Sequence, residues 1–242
     1  VALTTADRQH YSGQLTIRSA LLRQLLVAWR AMNINQPDEA FIAWADAVLR
    51  LIVAHRAYSA ALANQYVRAA RAAAGIPGLP PAIPVPPLDV QKARQALAAT
   101  ALGTIKSARA RAIPAAKISQ LGYTNSSAAA TRLALDAGRE VVISSVEQDQ
   151  RAVRWMRVTS GNPCAFCAVL AAGGGRYLSE ETASFHPHGS CRCTAKPVYD
   201  RAETPPELSQ SFAQMWDDVT VGLKGKEAFN AFRRAHEEAY GL

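Results

Sequence analysis

All four cysteines of the chain fall between Gly161 and Pro197, in GNPCAFCAVLAAGGGRYLSEETASFHPHGSCRCTAKP. Cys164 and Cys167 are spaced C-x2-C, a turn that points two thiolates at one spot. Cys191 and Cys193 form C-x-C, with His188 ahead of them as H-x2-C and His186 two residues earlier. Two half-sites joined by an excursion of about twenty residues have the spacing of a structural zinc centre. Zinc takes four ligands in a tetrahedron, and six candidates are two too many. One set is Cys164, Cys167, Cys191 and Cys193; another replaces one member of the tight C-x-C pair by His188. His186 is the weakest candidate, because Pro187 turns the two imidazoles apart. The segment needs such help, since AAGGGRY is too flexible and too poor in apolar groups to hold itself.

Other chemistries fit the same residues less well. Two disulfides would link the same elements but need an oxidising compartment. A redox C-x-x-C expects a strand before it and a helix start at the first cysteine, whereas the residues ahead of Cys164 read as the end of a long helix. An open zinc site with His188 and Glu180 or Glu181 as base has the ingredients of hydrolysis. However, the order matches neither H-E-x-x-H nor the H-x-E…P-C-x-x-C deaminase pattern, and the sequence contains no G-x-S-x-G or phosphate-cradling loop. The expectation is a non-enzymatic, fold-holding module.

The elements that must carry this module are helical, and the expected class is mainly α. Residues 1–75 read as a helical hairpin: Leu15, Leu22, Leu25, Leu26 and Trp29 line one face, and Phe41, Trp44, Val48, Leu51, Ile52 and His55 line the next. Pro37, Asp38 and Glu39 mark the second start. His55 reads as a packed side chain. Residues 76–88 form a proline-rich strap that no helix can cross, with six prolines between Gly75 and Asp89. Residues 89–158 return to helix: Asp89 caps a third helix ending at Pro114, and a fourth opens at Ser126 or Ser127 after LGYTNS and runs to about Trp155. Residues 159–199 are the Cys/His module, with short strands or loops. Residues 200–242 form a helical tail.

The sequence has no charged leader followed by an apolar run, and its apolar stretches stop short of membrane-spanning length, so a soluble protein is expected. The net charge of +8 is uneven. Residues 1–75 hold eight basic against four acidic side chains, 76–145 eight against three, 146–199 six against four, and 200–242 five against eight. A basic body with an acidic end suits life beside nucleic acid or an acidic protein surface. Sequence-specific DNA reading is not indicated.

The run from Arg154 to Pro197, R-W-x-R-V-x-S-G-x-P-C-A-F-C-A-V-L-A followed by H-x-x-C-R-C-x-x-x-P-V, resembles the C-terminal module of phage minor head proteins. This is the head-morphogenesis family of the phage Mu minor head protein, in versions from actinobacterial phages or prophages. Cys164, Cys167, His188, Cys191 and Cys193 occupy its signature positions, and His186 lies outside it. The resemblance implies a virion protein of the phage head, in the host cytoplasm during assembly. Its implied partners are the portal or major capsid protein, with non-specific DNA contact and no membrane. Zinc remains the inference from spacing. The alternatives are a zinc-dependent nucleic-acid-processing enzyme and a helical adaptor with a structural Cys knot.

Overall fold

A computed structural model of the chain describes residues 2–159, 162–173 and 192–241. The expected mainly α class holds. The N-terminal hairpin is α1, Thr5–Arg30, and α2, Pro37–Ala73. A capping box starts α1: the Thr4 hydroxyl accepts from the Asp7 N–H, and the Asp7 carboxylate accepts from the Thr4 N–H. Pro37 opens α2. The buried face of α1 is Leu21, Leu25 and Trp29, with Asp7, His10 and Gln14 below; Leu26, expected inside, is exposed. Leu and Arg crowd both faces there, so periodicity alone could not choose between neighbouring leucines. His55 is packed, its Nδ1 2.9 Å from the Leu51 carbonyl oxygen.

The strap runs back along α2 and is stapled to one side of it. Arg71 donates to the carbonyls of Pro77 and Gly78. Asn64 exchanges a pair of hydrogen bonds with the Ile83 backbone (2.9 and 3.0 Å), and Arg56 donates to the carbonyls of Pro86 and Pro87. The two spans are similar: fifteen helical residues rise about 22 Å, and eight residues of polyproline II cover about 25 Å at about 3.1 Å each. Strap carbonyls orphaned by prolines thus find side-chain donors on α2. Ile83 is buried.

Asp89 caps α3, Val90–Leu97, as expected, accepting from the Lys92 N–H. A π-helical stretch, Ala98–Gly103, joins it to α4, Thr104–Ala110, and Leu97, Ala101, Ile105 and Ala108 stay on the buried side. This stretch continues the strap's return: Arg94 pairs with Asp46 and Lys106 with Asp38.

The next helix corrects the expectation. α5, Ala115–Gln148, begins just after Pro114, and LGYTNS lies inside it. Ser126 and Ser127 do not cap; their hydroxyls bond back to carbonyls of the preceding turn. α5 also ends before Trp155, which lies instead in β1, Arg154–Val158. Asp149 stops the helix, accepting from the Arg151 N–H and from Arg71.

α5 runs parallel to α2, with Arg56 on the Leu133 carbonyl and Arg71 on Asp149, and antiparallel to α1, with Trp29 on Ser119 and Tyr123 on the Leu22 carbonyl. The three helices meet at Gly138. A Cβ there would meet the Ser59 Oγ at 2.5 Å, the Gln14 Nε2 at 2.6 Å and the Ser59 backbone oxygen at 2.9 Å. Gly138→Ala should therefore lower stability by about 1–3 kcal/mol through overpacking, although alanine favours helix by about 1 kcal/mol. An unchanged or raised melting temperature would show that the helices can part.

β1 pairs antiparallel with β2, Thr194–Val198, placing Arg154 opposite Val198 and Val158 opposite Thr194. Between them in sequence lies α6, Ala165–Ala172; after them come α7, Glu207–Val219, and α8, Gly225–Tyr240. α6, α7 and α8 share a core of Ala165, Ala168, Ala171, Phe212 and Phe232.

Candidate metal centre and its supports

Of the five signature ligands, Cys164, Cys167 and Cys193 fall among the described residues. Cys191, His188 and the weaker candidate His186 lie outside them, as do Glu180 and Glu181. Cys164 is the N-cap of α6, and its sulfur accepts from the Cys167 N–H at 3.4 Å. A C-x2-C turn entering a helix closes in this way, with both side chains on one side of the first turn. Cys167 and Cys193 are buried in one small cluster. Cys167 and Cys193, one from each half, are therefore brought together. Among the described residues, no group of three or more His, Cys, Asp or Glu is placed to hold a metal ion.

The helical body holds the Cys193 half by its backbone and by β2. Arg139 of α5, itself buried, donates from Nε to the Cys193 carbonyl at 2.9 Å and from Nη1 to Asp136 at 2.7 Å. Lys196 of β2 is buried between two carboxylates, 3.1 Å from Asp7 Oδ2 and 3.1 Å from Glu203 Oε1. Asp7 also accepts from the Tyr66 hydroxyl at 2.6 Å. Burial works against the Asp7 charge, but Tyr66, Lys196 and Thr4 outweigh it and hold its carboxyl below the usual range. The carboxylate that caps the first helix thus also anchors the strand after the last cysteine.

Two histidines matter that the sequence did not single out. His10 stacks on Tyr66 with ring centroids 4.2 Å apart, and burial lowers its pKa to about 4. His236 is fully buried in a cage of Phe212, Phe232 and Tyr240. Neither of its ring nitrogens has a hydrogen-bond partner among the described residues. Burial lowers its pKa, and the nearby Cys164 sulfur acts in the opposite direction. The signal for His236 was the four-residue step Phe232, His236, Tyr240, which sets it on the apolar stripe. Nothing local to His10 marks it as buried.

A 590 Å³ groove opens beside this anchor, lined among others by Thr4, Arg151, Lys196, Tyr199 and Glu203. Burial and the Asp149 charge push the Tyr199 hydroxyl up to about 12, so it is a neutral donor. None of the helices, over the described residues, is long and apolar enough to cross a membrane.

The family model described as VG15 protein matches residues 3–219, covering the helical body, the strap and the cysteine region together. No curated protein and no solved structure matches the chain.

Proposed function

The chain belongs to the VG15 protein family, a family of phage gene products, and on that footing we propose that it is a minor capsid protein acting in head assembly, at or near the portal and the packaged DNA. The observation that carries this reading is the burial of one cysteine from each half-site. Cys167 and Cys193 are buried together, and the strand following Cys193 is locked into the helical body through Lys196, Asp7 and Glu203. Such a module holds a fold together. The likeness of residues 154–197 to minor head proteins supplies the head, and the basic body with its acidic end suits a protein between DNA and the capsid or portal. Virion association follows from the same reading.

The proposed cofactor is structural zinc, held by Cys164, Cys167 and Cys193 with Cys191 or His188 completing four. When bound, the metal supplies cross-linking free energy to a segment short of apolar contacts. Elemental analysis of the full-length protein should find one zinc per chain, and Cys167→Ser and Cys193→Ser should each abolish it. A zinc-free protein whose cysteines resist thiol titration until reduced would replace the metal with disulfides.

On this reading the chain is a structural protein and not an enzyme. Metal-dependent nuclease activity that vanished in Glu180→Ala or His186→Ala would overturn that. Mass spectrometry of purified phage heads should find the protein in low copy number. Its absence there would sink the head assignment.

A further inference from the structure

One charged cluster contains arginines with no part in the contacts described above. It lies where α1, α5 and the residue between the last two cysteines meet. Arg192 is exposed, and its neighbours are tied down by the Arg139 bond to the Cys193 carbonyl. Arg192, Arg139, His10, Gln14, Leu15 and Leu135 line one small cleft. Arg18 lies one helical turn beyond Gln14. The α1–α5 register, set by Trp29 on Ser119 and Gln14 against Gly138, brings Arg132 to its level.

Arg18 is half-buried, and its Nε is sealed from solvent with no hydrogen-bond partner among the described residues. Arg192 lies within electrostatic range of it, a like charge beside a like charge; burial, then this neighbour, pull the Arg18 pKa down. The phenols of Tyr11 and Tyr123 also lie within electrostatic range of Arg18. Asp136 of α5 is paired with Arg139. A half-buried guanidinium held beside a second guanidinium costs stability, and an anion reaching the exposed part of the pair offsets that repulsion.

We propose that Arg18 and Arg192 form an oxyanion site for a phosphate group, of the kind the backbone of duplex DNA presents. Guanidinium forks suit phosphate oxygens, and two on separate elements can grip one group from two sides. His10, neutral in the same cleft, adds no charge. The inference goes beyond the head-assembly reading and does not require the zinc. It assigns Arg192, a position inside the cysteine signature, a contact of its own.

The test uses the full-length protein with two probes: a labelled duplex of random sequence, read by fluorescence anisotropy against salt, and inorganic phosphate, read by calorimetry. Arg18→Gln with Arg192→Gln should weaken duplex binding roughly tenfold, the loss of two charge-assisted contacts, and lower the log–log salt slope by about 2. Arg50→Gln with Arg68→Gln, the same change in charge on two exposed arginines of α2, should leave both nearly unchanged. Circular dichroism melts of the double variant establish that it is folded. Phosphate bound by the wild type and lost in the double variant, without duplex binding, would uphold the oxyanion site and make a free phosphate its source. Equal effects of the Arg50 and Arg68 double variant and the site variant, or no binding of either probe, would overturn the proposal.

Discussion

Arg71→Met should lower the unfolding free energy by about 3–5 kcal/mol, the range found when one partner of a buried ion pair is removed. Arg71 Nε lies 2.8 Å from Asp149 Oδ2, with both side chains at least nine-tenths buried. Its Nη1 also donates to the carbonyls of Pro77 and Gly78. One guanidinium therefore ties together the C-terminal turn of α2, the first residues of the strap and the residue that ends α5. Methionine fills similar space but leaves a buried carboxylate and two carbonyls without their donor. Urea denaturation checks the size of the loss. Adding Asp149→Leu to Arg71→Met should recover part of it, since the stranded charge is then gone. A single variant within about 1 kcal/mol of wild type would mean that water reaches Asp149 and the pair is not buried in solution.

The second large effect concerns pH and His10. Its folded pKa is about 4 against an ordinary 6.5. Below pH 6.5 the unfolded chain takes up a proton that the folded chain refuses until pH 4, so stability falls as pH drops through that window. The loss approaches about 3 kcal/mol, at 1.36 kcal/mol per pKa unit. The groups facing His10 are Asp7 one turn earlier, Tyr66 stacked on the ring, Lys196 paired to Asp7, and Arg139 and Arg192 across the cleft. Asp7, with its pKa lowered, loses its contribution only below the usual carboxylate range. Asp136 and Glu140 act oppositely, because burial raises both and the folded chain binds their protons first. The informative quantity is thus the difference between wild type and His10→Gln, measured by urea unfolding from pH 7.5 to pH 4. The wild type should lose up to about 3 kcal/mol relative to the variant. Parallel curves would show that His10 is solvated in the folded state.

The parts of the fold that sequence disclosed were those whose signals are local. The hairpin follows from apolar spacing and Pro37, the strap from its prolines, and the start of α3 from Asp89. The errors lay where a local signal had a tertiary purpose. LGYTNSS looks like a break because Gly, Asn and Ser suit turns; in α5, Gly122, Ser126 and Ser127 are small residues that let the helix lie close to its neighbours, and a Cβ on Gly122 would stand 2.7 Å from Trp29. Trp155 continued an apolar pattern, but five residues suffice for β1, and its partner β2 is far away in sequence. For the site, C-x2-C and C-x-C identified the cysteines. The residues that set Cys193 in place, Arg139, Asp7 and Lys196, are scattered from the first helix to the last strand and carry no motif.

The parallel run of α2 and α5 has a consequence for how the chain reaches its native state. Antiparallel neighbours such as α1 and α2 can zip together from the turn that joins them. α2 and α5 share no such turn. They meet only after the intervening strap, α3 and α4 have returned the chain to the far end of α2, a closure whose entropy must be met before most contacts between them form. The three side chains of α2 that hold the strap, Arg56, Asn64 and Arg71, fix that return path, and two of them then hold α5. The strap is thus a guide as much as a connection: laid on the donors of α2, it delivers the chain to the end of α2 from which α5 can run parallel to it.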